Sequence, residues 1–486
     1  NPLQLTKDGL KGEKKGRFLV IQTFLGLGAI GYGYYLALSV KDPVIAIMSF
    51  FLAVLLVIIG TYLLFNAGTT VVLQLLKKKK NYYYKPNNMI SISNLVFRMK
   101  KNAVGLATIA ILSSMVLVTL VGAASIYAGK KDYIASVAPH DYSVTGTNVD
   151  LTSTEKIMDD FLAQSGNQVN EKAEVTYLYF GIKEQEKNKL TIFPENERKV
   201  LPKSIFLVFS QATYKQLTGK DLNLASNQVG LYSKSKTLKG QKNLSFNGQN
   251  YQIQDDLNDF IKGKVPNIFT IIVSDYNYLV VPDMDDFKES IKGTATTQAT
   301  YVGVNVKDPT HDAKKNSDLL DQMTDKETQQ LAGHTTGVSQ SYLTANSQYD
   351  TEGMLNGFVG GTFFIGIFLS IIFMLGTVLV IYYKQISEGY EDRERFVILQ
   401  KIGLDDLQVK QTIRKQVLTV FFLPLIFAFI HLAFAYHMLS LIVRIIGVFN
   451  PSLMLVVTII VCGVFFLAYV LVFALTSRSY RRIVSM

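Results

Sequence analysis

The chain has 486 residues, is 49% hydrophobic with a mean hydropathy of +0.21, and still carries a formal net charge of +11. That combination excludes a single soluble domain and fits an integral membrane protein with a separate polar part. The one cysteine, Cys462, lies in an apolar run, so neither a disulfide framework nor a cysteine-ligated metal site is available.

Taken from Asn1, the chain opens with a basic segment, 1–17, that holds five Lys or Arg and no signal-peptide pattern; it reads as a fragment whose beginning is missing. Six uncharged runs follow, at 18–40, 43–76, 103–129, 353–383, 416–443 and 451–477, each above the roughly 20 residues that a spanning helix needs. The first two form a two-span pair over 18–76. The second run is longer than a bilayer requires, and Asn66, Gly68 and Thr69 mark its last part as a cytoplasmic extension or a tilted end. Basic residues fix the orientation. Residues 66–102 hold eight and no acid, 384–415 hold seven, and the tail from 478 holds three, so these segments and 1–17 are expected in the cytoplasm. Residues 130–352 are then extracytoplasmic. With 24 basic and 29 acidic residues this insert is net acidic, so the high pI reports membrane topology and not nucleic-acid binding.

Within the insert, VTYLYFGI, SIFLVF, NIFTIIVS, NYLVVP and TYVGVNV are rich in β-branched and aromatic residues, and LSFNGQNYQI carries Asn247-Gly248, a two-residue hairpin turn. TSTEKIMDDFLAQSG predicts a helix with Thr152 as N-cap, Glu155 three residues on and Gly166 as terminator. DDFKESIKG and DLLDQMTDKETQQLAG read similarly. The fold class is therefore a polytopic α-helical membrane protein with one large α+β extracytoplasmic domain. Catalytic signals are missing. His140, His311 and His334 are scattered, which predicts solvated positions, and the sequence contains no HExxH, GxSxG or GxxxxGK[ST] pattern. The acidic runs 254–259 and 283–286 lack the spaced ligands of a calcium loop and read as solvated surface. No metal or cofactor is expected in this chain.

Two cytoplasmic segments stand out. In the basic loop 77–102, SISNLVFRMKKN places Ile92, Leu95, Val96 and Met99 on one helical face and Asn94, Arg98, Lys101 and Asn102 on the other, an amphipathic elbow helix just before the span 103–129. In 384–415, ISEGYEDRERFVILQKIGLDDLQ pairs Glu391 with Arg395 at i,i+4 beside an apolar stripe through Phe396, Ile398, Leu399 and Ile402. Gly403 then stops the helix, and Asp405 with Gln408 caps a second one that continues into the fifth span. Pattern alone leaves two readings open, a solvated hairpin or a docking element for a cytoplasmic partner.

YEDRERFVILQKIGLDDLQ resembles the intracellular signature of FtsX-like ABC-transporter permeases, and the order of one span, a large external domain and three spans (the last three within 353–486) is similar to theirs. The extra span pair and the opening NPLQLTKDGLKGEKKG resemble the bacitracin-resistance permeases of Gram-positive bacteria, with the first four of their ten spans missing. The resemblance implies a permease that is no enzyme itself, paired with a cytoplasmic ATPase dimer that carries the ATP and Mg. It implies protection of the cell-wall lipid cycle from peptide antibiotics, a partner membrane histidine kinase, and coupling through Glu388, Glu391, Arg393, Glu394, Arg395, Phe396 and Gly403. Lipoprotein release, drug export and control of cell-wall hydrolases remain alternatives within the superfamily; a membrane-anchored external enzyme or receptor is the alternative outside it.

The six runs hold no Asp, Glu, Lys or Arg, unlike the midplane sites of ion-coupled transporters. His431 and His437 read as packed or interfacial. Gly353, Gly357 and Gly361 form a GxxxGxxxG ridge suited to close helix packing. Lys41, Lys130, Lys131 and Arg444 lie at the outer ends of spans, where they either snorkel to headgroups or gather around the pyrophosphate of a polyprenyl lipid.

Overall fold

The computed structural model describes residues 2–78, 86–197, 202–233, 235, 237–267, 275–332, 340–401, 406–445 and 450–484. Side chains are described for all of these except 2–17, 73, 76–78, 86–101, 332, 391–392, 394–401, 406–417, 419 and 479–484. Two compact units emerge, one of 1–128, 362–443 and 451–486, the other of 129–361 and 444–450.

The first unit is built from helices that belong to it wholly or in part. These are α1 (Pro2–Ser39), α2 (Pro43–Leu63), a π-helical turn (Leu64–Gly68), α3 (Thr69–Lys78) and α4 (Pro86–Val137). After the second unit's elements come α9 (Gln348–Lys401), α10 (Asp406–Ile445) and α11 (Pro451–Val484). Six stretches of them are apolar over a bilayer's thickness: Phe18–Ser39, Pro43–Val72, Asn102–Val137, Gln348–Tyr390, Val420–Ile445 and Pro451–Arg478. All six predicted runs are there, and the protein is a multi-pass membrane protein with a soluble domain.

Local chemistry explains the ends. Asp42 caps α2 by accepting from the backbone N–H groups of Val44 (2.8 Å) and Ile45 (3.1 Å), and Pro43 sits at the first helical position, where its missing N–H costs nothing. The overlong second run resolves into α2, the π-helical turn and α3. Asn66 and Gly68 fall inside the turn, whose wider winding rotates the faces of α3 relative to α2. The α1–α2 hairpin closes on glycine: a Cβ at Gly60 would stand 2.6 Å from Ile30 Cγ1 and 2.8 Å from the Gly26 carbonyl oxygen. One expectation changes here. The segment 91–102 is helical, but as an unbroken extension of α4 and not as a separate elbow, because no Gly or Pro interrupts it before Gly105 and the hydrogen-bond ladder simply continues.

The second unit is α+β. Its strands are β1 (Tyr142–Thr147), β2 (Val169–Glu186), β3 (Lys189–Ile192), β4 (Ser204–Ser210), β5 (Gln228–Ser233), β6 (Asn243–Phe246), β7 (Gln249–Asp256), β8 (Tyr276–Val281), β9 (Thr296–Val306) and β10 (Tyr342–Ser347). They pair in the order β10-β1-β9-β2-β3-β6-β7-β5-β8-β4, and β4 returns to β2, so the strands from β2 to β4 close a barrel-like ring. Closure leaves these strands without a free edge. Alternate side chains of the ring point inward, where Phe180, Phe206 and Phe246, with Phe287 from a covering helix, pack with Leu231 and Leu279, and Phe246 meets the other three rings edge to face. The long strand β2 continues past the ring to pair with β9, and the β10-β1-β9 wing packs on α5 (Leu151–Ser165) and α8 (Ala313–Ala332) through Val144, Phe161, Val302 and Leu320. The remaining helices, α6 (Gln211–Thr218) and α7 (Met284–Ser290), are short covers.

Four of the five predicted strand segments lie in β2, β4, β8 and β9, while most of NIFTIIVS falls outside the described residues. The Asn247-Gly248 turn is a tight hairpin with both residues at positive φ, 47° and 93°. The helix over 151–165 is capped by Asp150 and not by Thr152: Asp150 Oδ1 accepts from the Ser153 N–H at 2.7 Å, and Gly166 ends the helix at φ 69°. His140 also departs from expectation. It is 3% exposed, with Nδ1 2.7 Å from the Tyr301 hydroxyl, because β9 folds over it; His311 is solvated as predicted, and His334 lies outside the described residues. In the acidic run 283–286, Asp283 caps α7, and in 254–259 Tyr232 donates to Asp259 at 3.5 Å.

Candidate functional site

The segment after the fourth span continues α9 without a break as far as Lys401, so Glu388 to Phe396 extend the span's own helix. Arg393 is exposed and already engaged by a neighbour. The side chains of Glu391, Glu394, Arg395 and Phe396, and all of Gly403 and Asp405, lie outside the description.

Where α9 leaves the span it is tied to α4 by a reciprocal polar clasp. Lys384 Nζ donates to the Asn102 backbone carbonyl at 3.0 Å, and the Asn102 side-chain amide donates to the Glu388 carboxylate. Lys384 and Glu388 are i,i+4, so one face of α9 presents both charges to one residue of α4. The Lys384 side chain passes close over Gly105, where a Cβ would stand in ordinary van der Waals contact, 3.4 Å from Nζ and 3.7 Å from Cδ. Further along the same pair of helices, Thr119 and Ser370 share a hydrogen bond at 2.9 Å, a Cβ at Gly366 would land on Ala123, and Tyr127 stacks on Phe363 at 4.6 Å. Charge-assisted bonds at one end and small-residue packing along the rest make α4 and α9 a stiff pair.

The predicted GxxxGxxxG ridge occupies a different part of α9. A Cβ at Gly353, Gly357 or Gly361 would meet nothing within 4 Å, so among the described residues nothing packs into the ridge. Of the predicted outer cations, Lys130 donates to the Asn356 side-chain oxygen, and Lys131 is exposed; Arg444 belongs with them to the second unit, and Lys41, in the α1–α2 connection, belongs to the first. His431 and His437, both on α10, are engaged with the extra span pair, His431 with Tyr34 and Thr61 and His437 with the Val40 carbonyl.

Among the described residues no group of three or more His, Cys, Asp or Glu side chains is arranged to hold a metal. What the first unit offers is close, polar-clasped packing between α4 and α9. The pairing of residue 102 with 384 and 388 was not legible in the sequence, since nothing local links positions 286 apart; the only trace was Asn102 on the polar face of the amphipathic stretch.

No protein-family model matches the chain. It is 24% identical over 451 residues, covering 90% of this chain, to the ABC transporter permease protein YxdM of Bacillus subtilis. Against the bacitracin export permease protein BceB of the same organism it is 23% identical over 450 residues, 88% of this chain. The uncharacterized ABC transporter permease YvcS, also of B. subtilis, is 22% identical over 494 residues, 98% of this chain. The chain spans 65% of the length of YxdM and 64% of that of BceB. Its curated homologues are thus ABC transporter permeases.

Proposed function

We propose that this chain, a homologue of ABC transporter permeases, is the permease subunit of a transporter that confers resistance to, and senses, peptide antibiotics acting on cell-wall lipid intermediates. The observation that carries the reading is the alignment with a bacitracin export permease over 88% of the chain, both units included. ATP and Mg belong in this reading to a cytoplasmic ATPase dimer. A membrane histidine kinase is the signalling partner, and the soluble unit is extracytoplasmic.

Force enters at Glu388, Glu391, Arg393, Glu394, Arg395 and Phe396, with Gly403 as the turn that follows. A continuous α9 supports that role, because a helix with an intact hydrogen-bond ladder transmits axial displacement with little bending. Lys41, Lys130, Lys131 and Arg444 are the proposed cations for a polyprenyl pyrophosphate or its antibiotic complex, a charge-assisted recognition. The Gly353, Gly357 and Gly361 surface is the proposed packing face for a neighbouring helix.

The test uses the chain with its transporter ATPase. Reversing the charges of Glu391, Arg393, Glu394 and Arg395 together is expected to abolish co-purification with the ATPase and antibiotic protection while leaving the permease in the membrane; unchanged binding and protection overturn the coupling assignment. Replacing Lys41, Lys130, Lys131 and Arg444 by Gln is expected to weaken binding of undecaprenyl pyrophosphate without altering ATPase assembly. Unchanged binding and protection would make the four residues membrane anchors.

A further inference from the structure

The amide of Gln385 is the most anomalous polar group of the first unit. The residue is 5% exposed, and among the described residues neither its amide nitrogen nor its amide oxygen has a hydrogen-bond partner. A buried amide with neither hydrogen bond made is costly, and native interiors rarely leave one so. It lines a cavity of about 20 Å³ whose other walls include Leu106 and Ile109 of α4, Ile381 of α9, Phe421 of α10 and Tyr469 of α11. Glu388 and Lys384, the two charges of the clasp, line it as well.

We propose that this cavity holds one ordered water bound by the Gln385 amide, and that the water and the Asn102–Lys384–Glu388 clasp form one polar joint between α4 and α9. Size and chemistry select the ligand. A water needs roughly 10–15 Å³ of such space and several polar partners, and the cavity offers room for about one. The side-by-side C=O and NH₂ of an amide suit a single water, which donates to Oε1 and accepts from Nε2–H. A cation would leave Nε2 unpaired and would lie beside the Lys384 ammonium. Tyr469 is no substitute as a donor, since its hydroxyl proton goes to the Phe421 carbonyl at 2.8 Å.

The joint sits where α9 passes from span to extension. A shift of α9 along its axis breaks the Lys384 bond and the Asn102–Glu388 bond together, so the two resist it jointly. Resting on the proposed coupling role of 388–403, the joint passes displacement of that segment to α4. Gln385 acts here as a positioning residue.

The decisive measurement is a cryo-EM map of the full chain with its ATPase at a resolution that shows ordered water. A peak within about 3.2 Å of both Gln385 amide atoms is expected; an empty cavity in a map that shows other buried waters overturns the site. Gln385→Leu, close in volume, gives the second reading. If the amide holds water the midpoint of thermal unfolding falls by roughly 2–4 °C, and if the amide is an unpaired burden the midpoint rises, which overturns the proposal. The variant is also expected to bind the ATPase normally but to lose roughly threefold or more of permease-dependent ATP hydrolysis. Unchanged hydrolysis beside a lowered midpoint overturns the transmission role and keeps the water. Failure of the unsubstituted chain to bind the ATPase overturns the coupling reading of 388–403 instead, and the map and the melting result still decide the water site.

Discussion

The hydroxyl of Tyr34 lies 2.7 Å from Nδ1 of His431, and the bond has a definite direction. Thr61 commits its one proton to the Val57 carbonyl at 2.6 Å, so towards His431 Nε2, 3.1 Å away, it accepts. Nε2 therefore carries the hydrogen, Nδ1 accepts from Tyr34, and a neutral imidazole satisfies both nitrogens inside the membrane unit. The ring joins α1, α2 and α10, and Phe434 stacks on Tyr34 at 3.9 Å.

His431→Leu is accordingly expected to weaken the hold of the α1–α2 pair on α10 by about 1–3 kcal/mol, because it leaves the half-buried Tyr34 hydroxyl without its acceptor. Tyr34→Phe should cost less, about 0.6 kcal/mol and up to ~1.7, the usual range for one interhelical bond in a bilayer. Thermal unfolding of the purified full chain measures both. Equal midpoints for His431→Leu and the parent chain would show that the bond contributes nothing.

Glycines of α9 should differ sharply in tolerance. A Cβ at Gly366 would land on Ala123, so Gly366→Val is expected to cost about 1–3 kcal/mol by overpacking, whereas Gly357→Ala meets nothing within 4 Å and should be close to neutral in the isolated chain. Loss of stability at Gly357 only when a partner is present would reveal a helix seated on the ridge. Comparative unfolding with and without the partner complex distinguishes the two positions.

The soluble unit should lose stability in mild acid through His140. Burial lowers its pKa, and this outweighs the opposing pull of Glu171 and Asp141. Its unfolded value is near the ordinary ~6.5. The folded state thus binds fewer protons than the unfolded state below that point, so the contribution is fully present above about pH 6.5 and declines as pH falls towards the lowered folded value. Hydrogen exchange of 142–147 and 296–306 in the full chain, followed between about pH 7 and 5.5, is expected to show opening that His140→Gln suppresses. Identical profiles for parent and variant would exclude the assignment.

Helix α5 offers a local test of capping. Asp150→Ala removes the acceptor of the Ser153 N–H and should cost about 1 kcal/mol, whereas Thr152→Ala should stay within about 0.5 kcal/mol. Exchange protection across 151–165 reads the difference, and a larger loss at Thr152 would contradict the cap.

Membrane architecture was legible in the sequence because it depends on sums over local windows. Twenty uncharged apolar residues must form a helix in lipid whatever surrounds them. The Asn247-Gly248 hairpin and the Gly166 terminator were legible too, since positive φ is a property of one or two residues. Capping was nearly so: Thr152 and Asp150 are chemically alike, and only the start of the helix chooses between them.

Pairings between distant residues depended on the tertiary structure. Nothing in PHDYSVTG distinguishes a solvated histidine from one that β9 encloses 161 positions later, and Gly303 reveals its purpose only there, where a Cβ would stand 2.6 Å from His140 Nδ1. Ring closure by β4 on β2, the His431 bonds to α1 and α2, and the meeting of Asn102, Lys384, Gln385 and Glu388 are of the same kind. Composition and periodicity state which face of an element avoids water; which neighbour covers that face is decided when all the elements compete for one packed arrangement.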